Sequence, residues 1–261
     1  MLSSTFLQEC PVTSGNGETG SVVHTDYPAA GDEEENTMLL RELRVEVLAT
    51  ARRMVADGLA YGAQGNISAL DPETGLIAIT PSAIEYHRMK AEDVVVVDKY
   101  GKVVDGQWKP TSETPMHTIF YRERSDVGAV VHTHAPYATT FAVIGEPVPM
   151  VLVEAALCLG KPVPVAPYRR PATEDLAQIA LETMGEGVGV LLAQHGLITV
   201  GANLERAYAA TIAAEMSARL AIMARSINVE PVELDLDEVA DLHEIYLRHY
   251  ADITLVVGSR R

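Results

Sequence analysis

A chain of 261 residues, 48% of them apolar, can bury a full core, and the length suits one α/β domain better than two. The formal charge of -16 excludes a general nucleic-acid binder, because a phosphate backbone would be repelled across most of the surface; an anionic small molecule held by backbone N–H groups stays open. With no apolar run of roughly eighteen residues and no secretory signal at the start, a cytoplasmic location without a membrane partner is expected, and Cys10 and Cys158 are too few for a disulfide framework or a cysteine metal site.

Residues 1–36 are rich in Ser, Thr, Gly and acids, a composition with little to bury, which predicts a disordered acidic arm. Order is expected from Thr37, a helix cap before Leu40, Leu43, Val47, Ala51 and Met54, with Gly58 ending the segment. Asn66 to Leu70 and Leu76 to Thr80 then read as strands around an Asp-Pro-Glu-Thr-Gly turn, followed by pairing of Val94 to Val97 with Lys102 to Val104. A helix is predicted over Ser112 to Arg124, with Pro115 in its first turn. A short apolar strand, Ala129 to His134, leads to a helix near Ala138 to Val143, a strand near Val163 to Val165 and a helix capped by Thr173. Val188 to Ala193 and Leu197 to Val200 flank Gln194-His195-Gly196, and helices over Leu204 to Ile227 and Asp235 to Tyr250 close the chain. Helices and strands interleave without regular βα alternation. The fold class expected is α/β, three-layer α/β/α around a central, mostly antiparallel sheet.

His132 and His134 stand two apart on a predicted strand, so both rings project from one face and can reach one cation. Such a pair is also commonly structural. His195, at another strand end, supplies a third imidazole, and three imidazoles with an open fourth position describe a catalytic site. Glu113 sits at the start of the predicted helix, where a carboxylate can also serve merely to complement the helix dipole.

From about Leu40 to Ile227 the order of motifs resembles the class II aldolase and adducin superfamily, typified by L-fuculose-1-phosphate aldolase and L-ribulose-5-phosphate 4-epimerase. The matching pieces are Gly65-Asn66-Ile67-Ser68, Thr80-Pro81-Ser82-Ala83, Thr111-Ser112-Glu113 with Pro115-Met116-His117, His132-Thr133-His134 and Gln194-His195-Gly196. The resemblance implies one such domain over 37–261, holding a divalent cation on His132, His134 and His195. Zinc is the expected ion, although three imidazoles also suit manganese, iron or cobalt. It implies that Glu113 is the acid/base and contacts the metal in the substrate-free state. It places Gly65, Asn66, Ser82, Ala83, Thr111 and Ser112 around a substrate phosphate, in a homotetramer with sites at subunit interfaces. The reaction implied is cleavage of a carbon–carbon bond in a small phosphorylated keto-sugar through a metal-stabilised enediolate. Decarboxylation or epimerisation of a sugar phosphate or oxo acid uses the same logic, and a non-catalytic adducin-like interaction module is the reading from another class.

Three departures bear on the substrate. Ala63 and Ala83 replace a hydroxyl residue and a glycine, and Val153 falls where the fuculose enzyme has a catalytic tyrosine. Tyr246 or Tyr250 could supply a phenol instead, or simply pack. Arg169 and Arg170 could bind a substrate carboxylate or phosphate, or form surface ion pairs. His117, one helical turn from Glu113, is expected to pack or to support the site.

Overall fold

The computed structural model describes residues 38–258, with side chains described to residue 249. The expected acidic arm and its Thr37 cap lie outside this range. Eight strands form one sheet in the order β4-β3-β2-β1-β5-β8-β7-β6. They are β1 (Asn66–Leu70), β2 (Ile77–Ile79), β3 (Val95–Val97), β4 (Val103–Asp105), β5 (Ala129–Thr133), β6 (Val165–Ala166), β7 (Gly189–Leu192) and β8 (Gly196–Gly201). Every pairing is antiparallel except β6 with β7, as the sequence predicts.

Seven α-helices cover the two faces: α1 (Arg41–Ala56), α2 (Thr114–Glu123), α3 (Pro136–Ile144), α4 (Val153–Leu159), α5 (Glu174–Met184), α6 (Leu204–Ser226) and α7 (Leu236–Gly258). Alternation along the strands builds two large cores, beside a smaller cluster of Ile77, Ile79, Val95 and Val97 on β2 and β3. Ile67, Ala69, Ala129, Val131, Leu191 and Leu197 face α1, α3, α4, α6 and α7, whereas Val130, Val190, Leu192, Ile198 and Val200 face α2 and α5. This is the three-layer α/β/α architecture, reached because the central strands β5, β7 and β8 carry apolar side chains on both faces. Among the described residues no helix is long and apolar enough to cross a membrane.

Local expectations hold and fail for identifiable reasons. Thr173 caps α5 by accepting from the Leu176 N–H. The first helix instead starts after Leu40, which is left-handed (φ 54) and offers no side-chain cap, so it is held by packing of Val47, Leu48, Ala51 and Met54. Val163 bridges Val148 outside a strand, and β6 begins at Val165. The sequence reading leaves α4 unpredicted.

Candidate metal centre

Strand register assembles the site. In the centre of the sheet Asn66 of β1 lies opposite His132 of β5, and His132 lies opposite Ile198 of β8, so His132 and Asn66 share the face that α2 covers. His134 stands one residue beyond β5, a small correction to the expected strand, and His195 occupies the turn between β7 and β8. Glu113 is the residue preceding α2, its cap position, rather than inside the helix.

The three rings converge. Their centroids are 5.1, 4.8 and 5.1 Å apart, and one nitrogen from each lies within 4.8 Å of the others. Two close approaches allow this. A Cβ on Gly196 would collide with the Thr133 carbonyl oxygen and stand 3.0 Å from the His134 ring. Gly65 (φ +71) passes so near β5 that a Cβ would lie 2.6 Å from the His132 carbonyl oxygen.

Glu113 faces the same centre. Its Oε2 is 3.2 Å from His132 Nε2 and its Oε1 is 3.5 Å from His195 Nε2. Glu113 Oε1, His132 Nε2 and His195 Nδ1 are buried yet make no hydrogen bond among the described residues. Buried polar atoms seldom lack partners, and here they belong to three of the four side chains that converge at the site. His132 Nδ1 donates to the Leu197 carbonyl at 3.0 Å, which leaves the Nε2 lone pair free for a ligand. The donor set therefore fits a divalent cation.

The electrostatics favour neutral rings around a carboxylate. Burial pushes His132 down to about 4, Glu113 opposing and His195 and His134 reinforcing. His134 is lowered by burial and by His195. Burial alone would raise Glu113, but His132, the Asn66 hydrogen bond, His195 and His117 outweigh it and hold the carboxyl below its usual range.

A cavity of about 280 Å³ opens beside the triad. Gly65, Asn66, Ser82, Ala83, Thr111, Ser112 and Glu113 line it together with His134 and His195, so the residues expected around a phosphate are brought together. Ala83 adopts a left-handed conformation (φ 61), the conformation for which glycine is favoured. Ser82 Oγ donates to the Pro110 carbonyl and Thr111 Oγ1 accepts from the Glu113 N–H. Ala63 lines the cavity as well, and among the described residues no lysine or arginine does.

Other expected residues fall elsewhere. Arg169 and Arg170 are exposed and do not line the cavity, although Pro171 does. Arg169 donates to the Tyr168 carbonyl. Tyr246 hydrogen-bonds Cys158 and lines a different cavity, with Arg124 and His243. The Tyr250 side chain lies outside the described residues, and Val153 is exposed at the start of α4.

Three residues were not singled out from sequence. Tyr86, buried and pushed up to about 12 by that burial, donates to the Gly65 carbonyl at 2.6 Å and ties down the glycine loop. Ser68 and Tyr121 continue a polar track from Glu113 under α2. The trace in the sequence is periodic: Glu113 at the helix cap and His117 and Tyr121 within the helix are four residues apart, and Asn66 and Ser68 are alternate residues of a strand.

A family model described as the class II aldolase and adducin N-terminal domain matches residues 45–222. The 5-deoxy-D-ribulose 1-phosphate aldolase of Bacillus thuringiensis serovar kurstaki is 42% identical over 205 residues, 78% of this chain and 95% of its own. Among solved structures, an L-fuculose 1-phosphate aldolase superposes with a TM-score of 0.76 at 36% identity, covering 80% of this chain and 98% of that one. The L-fuculose-1-phosphate aldolase of Thermus thermophilus does so at 0.63 and 26%, over 71% and 95%. Since the matched span carries the three histidines, Glu113 and the cavity lining, the chain belongs to the class II aldolase and adducin family.

Proposed function

We propose that this protein is a metal-dependent aldolase that cleaves a small phosphorylated ketose beside its carbonyl. The observation that carries the reading is the convergence of three imidazoles with a carboxylate 3.2 and 3.5 Å from two of them, at the edge of a polar cavity. His132, His134 and His195 would hold the cation, zinc by preference, and Glu113 would complete the ligand set before substrate arrives. When bound, such an ion withdraws charge from a carbonyl and its neighbouring hydroxyl oxygen and so favours an enediolate.

The chain's own groups do the rest. Cleavage removes a proton from the hydroxyl beyond the breaking bond, sends the bonding electrons into the carbonyl and later returns a proton to the carbon. The two transfers balance, so one carboxylate, Glu113, can carry the proton. The phosphate is assigned to the Gly65 and Ala83 backbone and to the Asn66, Ser82, Thr111 and Ser112 side chains, neutral donors that suit a cavity without lysine or arginine. The sugar-phosphate substrate is supported by the activity named for the relatives.

A cytoplasmic homotetramer with sites at subunit interfaces is part of the same proposal. The association of copies is supported by a largely apolar groove of about 610 Å³ lined by Leu152, Ile212, Met216 and Leu220 and by the exposed Met216 and Met223 on α6, a surface that association would cover.

The test combines metal analysis with product identification over a panel of ketose phosphates and oxo acids. We expect one divalent ion per chain, an aldehyde plus a three-carbon keto-phosphate as products, and loss of turnover on chelation that zinc restores. Carbon dioxide would mark a decarboxylase and an inverted hydroxyl an epimerase. Protein with no metal and no turnover would be the interaction module.

A further inference from the structure

Behind Glu113 runs a line of hydrogen bonds, buried except at its Tyr121 end. Tyr121 Oη meets Ser68 Oγ at 2.7 Å, Ser68 Oγ meets His117 Nδ1 at 2.7 Å, His117 Nε2 meets Asn66 Oδ1 at 2.5 Å, and Asn66 Nδ2 meets Glu113 Oε2 at 2.8 Å. Helix α2 supplies residues 117 and 121 and its cap position supplies residue 113, while β1 supplies residues 66 and 68. The line crosses a layer otherwise filled by Met116, Phe120 and Val130.

The direction of every bond follows from its end. An ionised carboxylate only accepts, so Asn66 must present its NH₂ to Glu113 and its carbonyl oxygen to His117. His117 Nε2 must then carry hydrogen. The ring is fully buried, and its two nitrogens meet neutral partners, the Asn66 amide and the Ser68 hydroxyl; a charged ring enclosed in this way is costly, so it is neutral and its Nδ1 accepts. Ser68 therefore gives its hydrogen to His117 and accepts from Tyr121. In the other His117 tautomer the Asn66 amide would turn over and set its oxygen against Oε2, two acceptors at hydrogen-bond distance in a buried site.

We infer that His117 is a positioning residue for the reaction: acting through the Asn66 amide, it commits Glu113 Oε2 to accepting a hydrogen bond and leaves Oε1 as the oxygen that exchanges the proton. Oε1 has no hydrogen-bond partner among the described residues. The inference deepens the reading of Glu113 as acid/base and rests on it. Asn66, assigned above to phosphate, has one amide hydrogen left for substrate once the other is given to Glu113.

A long-range proton–nitrogen correlation spectrum of the full chain, carrying ¹⁵N-histidine and recorded with and without zinc, tests the directionality apart from any activity. We expect His117, identified by the signals lost in His117→Gln, to be the neutral Nε2–H tautomer with a ring hydrogen slow to exchange with solvent. A Nδ1–H or doubly protonated ring overturns the inference whether or not the protein is an aldolase. With a turned-over ketose phosphate, His117→Leu should lower kcat by about tenfold to a hundredfold, the scale of a mispositioned catalytic group, while KM and zinc per chain change less than about twofold. His117→Gln, which can still donate to Asn66 and accept from Ser68, should recover most of that loss. Equal losses in the two variants, or a loss matched by lost zinc, overturn it. If His117→Leu does not fold, the tautomer in the unmodified chain still decides.

Discussion

Two stripes of α2 meet the same sheet and differ in kind. Met116, Ile119 and Phe120 pack on Val130, Val190 and α5 with no polar atom among their side chains, whereas Glu113, His117 and Tyr121 turn hydrogen-bonding groups onto Asn66 and Ser68. The apolar stripe is the ordinary way to attach a helix, stabilising in proportion to area buried. A polar stripe in the same layer gains little net energy and is costly if any one member loses its partner. That it runs through the interior up to Glu113, and meets the orphaned atoms of the triad there, separates the part of α2 that holds the fold from the part that serves the chemistry.

The two stripes should therefore fail differently. Glu113→Gln keeps shape and removes the titrating group; turnover of the ketose phosphate should fall by about 10²- to 10⁴-fold, with little change in unfolding midpoint. Steady-state kinetics beside urea melts checks this, and an unchanged kcat would remove Glu113 from the reaction. Phe120→Ala, at a fully buried position, should cost about 3–5 kcal/mol of stability by leaving a cavity. The folded fraction should nevertheless retain its metal and its KM. A Phe120 variant that unfolds no more easily than the parent, or that loses zinc while folded, would blur the division between the stripes.

The division was only half legible in the sequence. His132, His134 and His195 stood out because imidazoles interrupt apolar strand runs, and strand alternation alone places the first two on one side. Thr173 was legible because a threonine followed by Glu174 and Asp175 is a local cap signal. Helix α4 was not, because Val153–Leu159 is a short apolar run whose helical form is decided by packing on α6 and α7 rather than by periodicity. Ser68, present in the sequence only as the end of the Gly65-Asn66-Ile67-Ser68 motif, and Tyr121 carry no role by themselves and acquire meaning only from the register that sets β1 beneath α2. For Tyr246 the difficulty was long range: its hydrogen bond to Cys158 joins α7 to α4, an element the pattern had not revealed.

Acid should separate the stripes as well, by the smallest of these effects. An unfolded histidine takes up its proton near pH 6.5, whereas in the fold His117 and His132 resist until about 3 and about 4. Between those limits the unfolded chain binds more protons, so stability is lost as pH falls and is fully present only above the unfolded value. At pH 5 each buried ring should account for about 2 kcal/mol relative to pH 7. Urea unfolding of the metal-free protein at the two pH values measures the sum. His117→Gln should remove about half of what this pair contributes, because its amide has no proton to gain, and Phe120→Ala should lower the curve at both pH values alike. If the two variants keep the same slope against pH, the imidazole of His117 is not held neutral by its surroundings, and the polar stripe would lose the feature that distinguishes it from the apolar one.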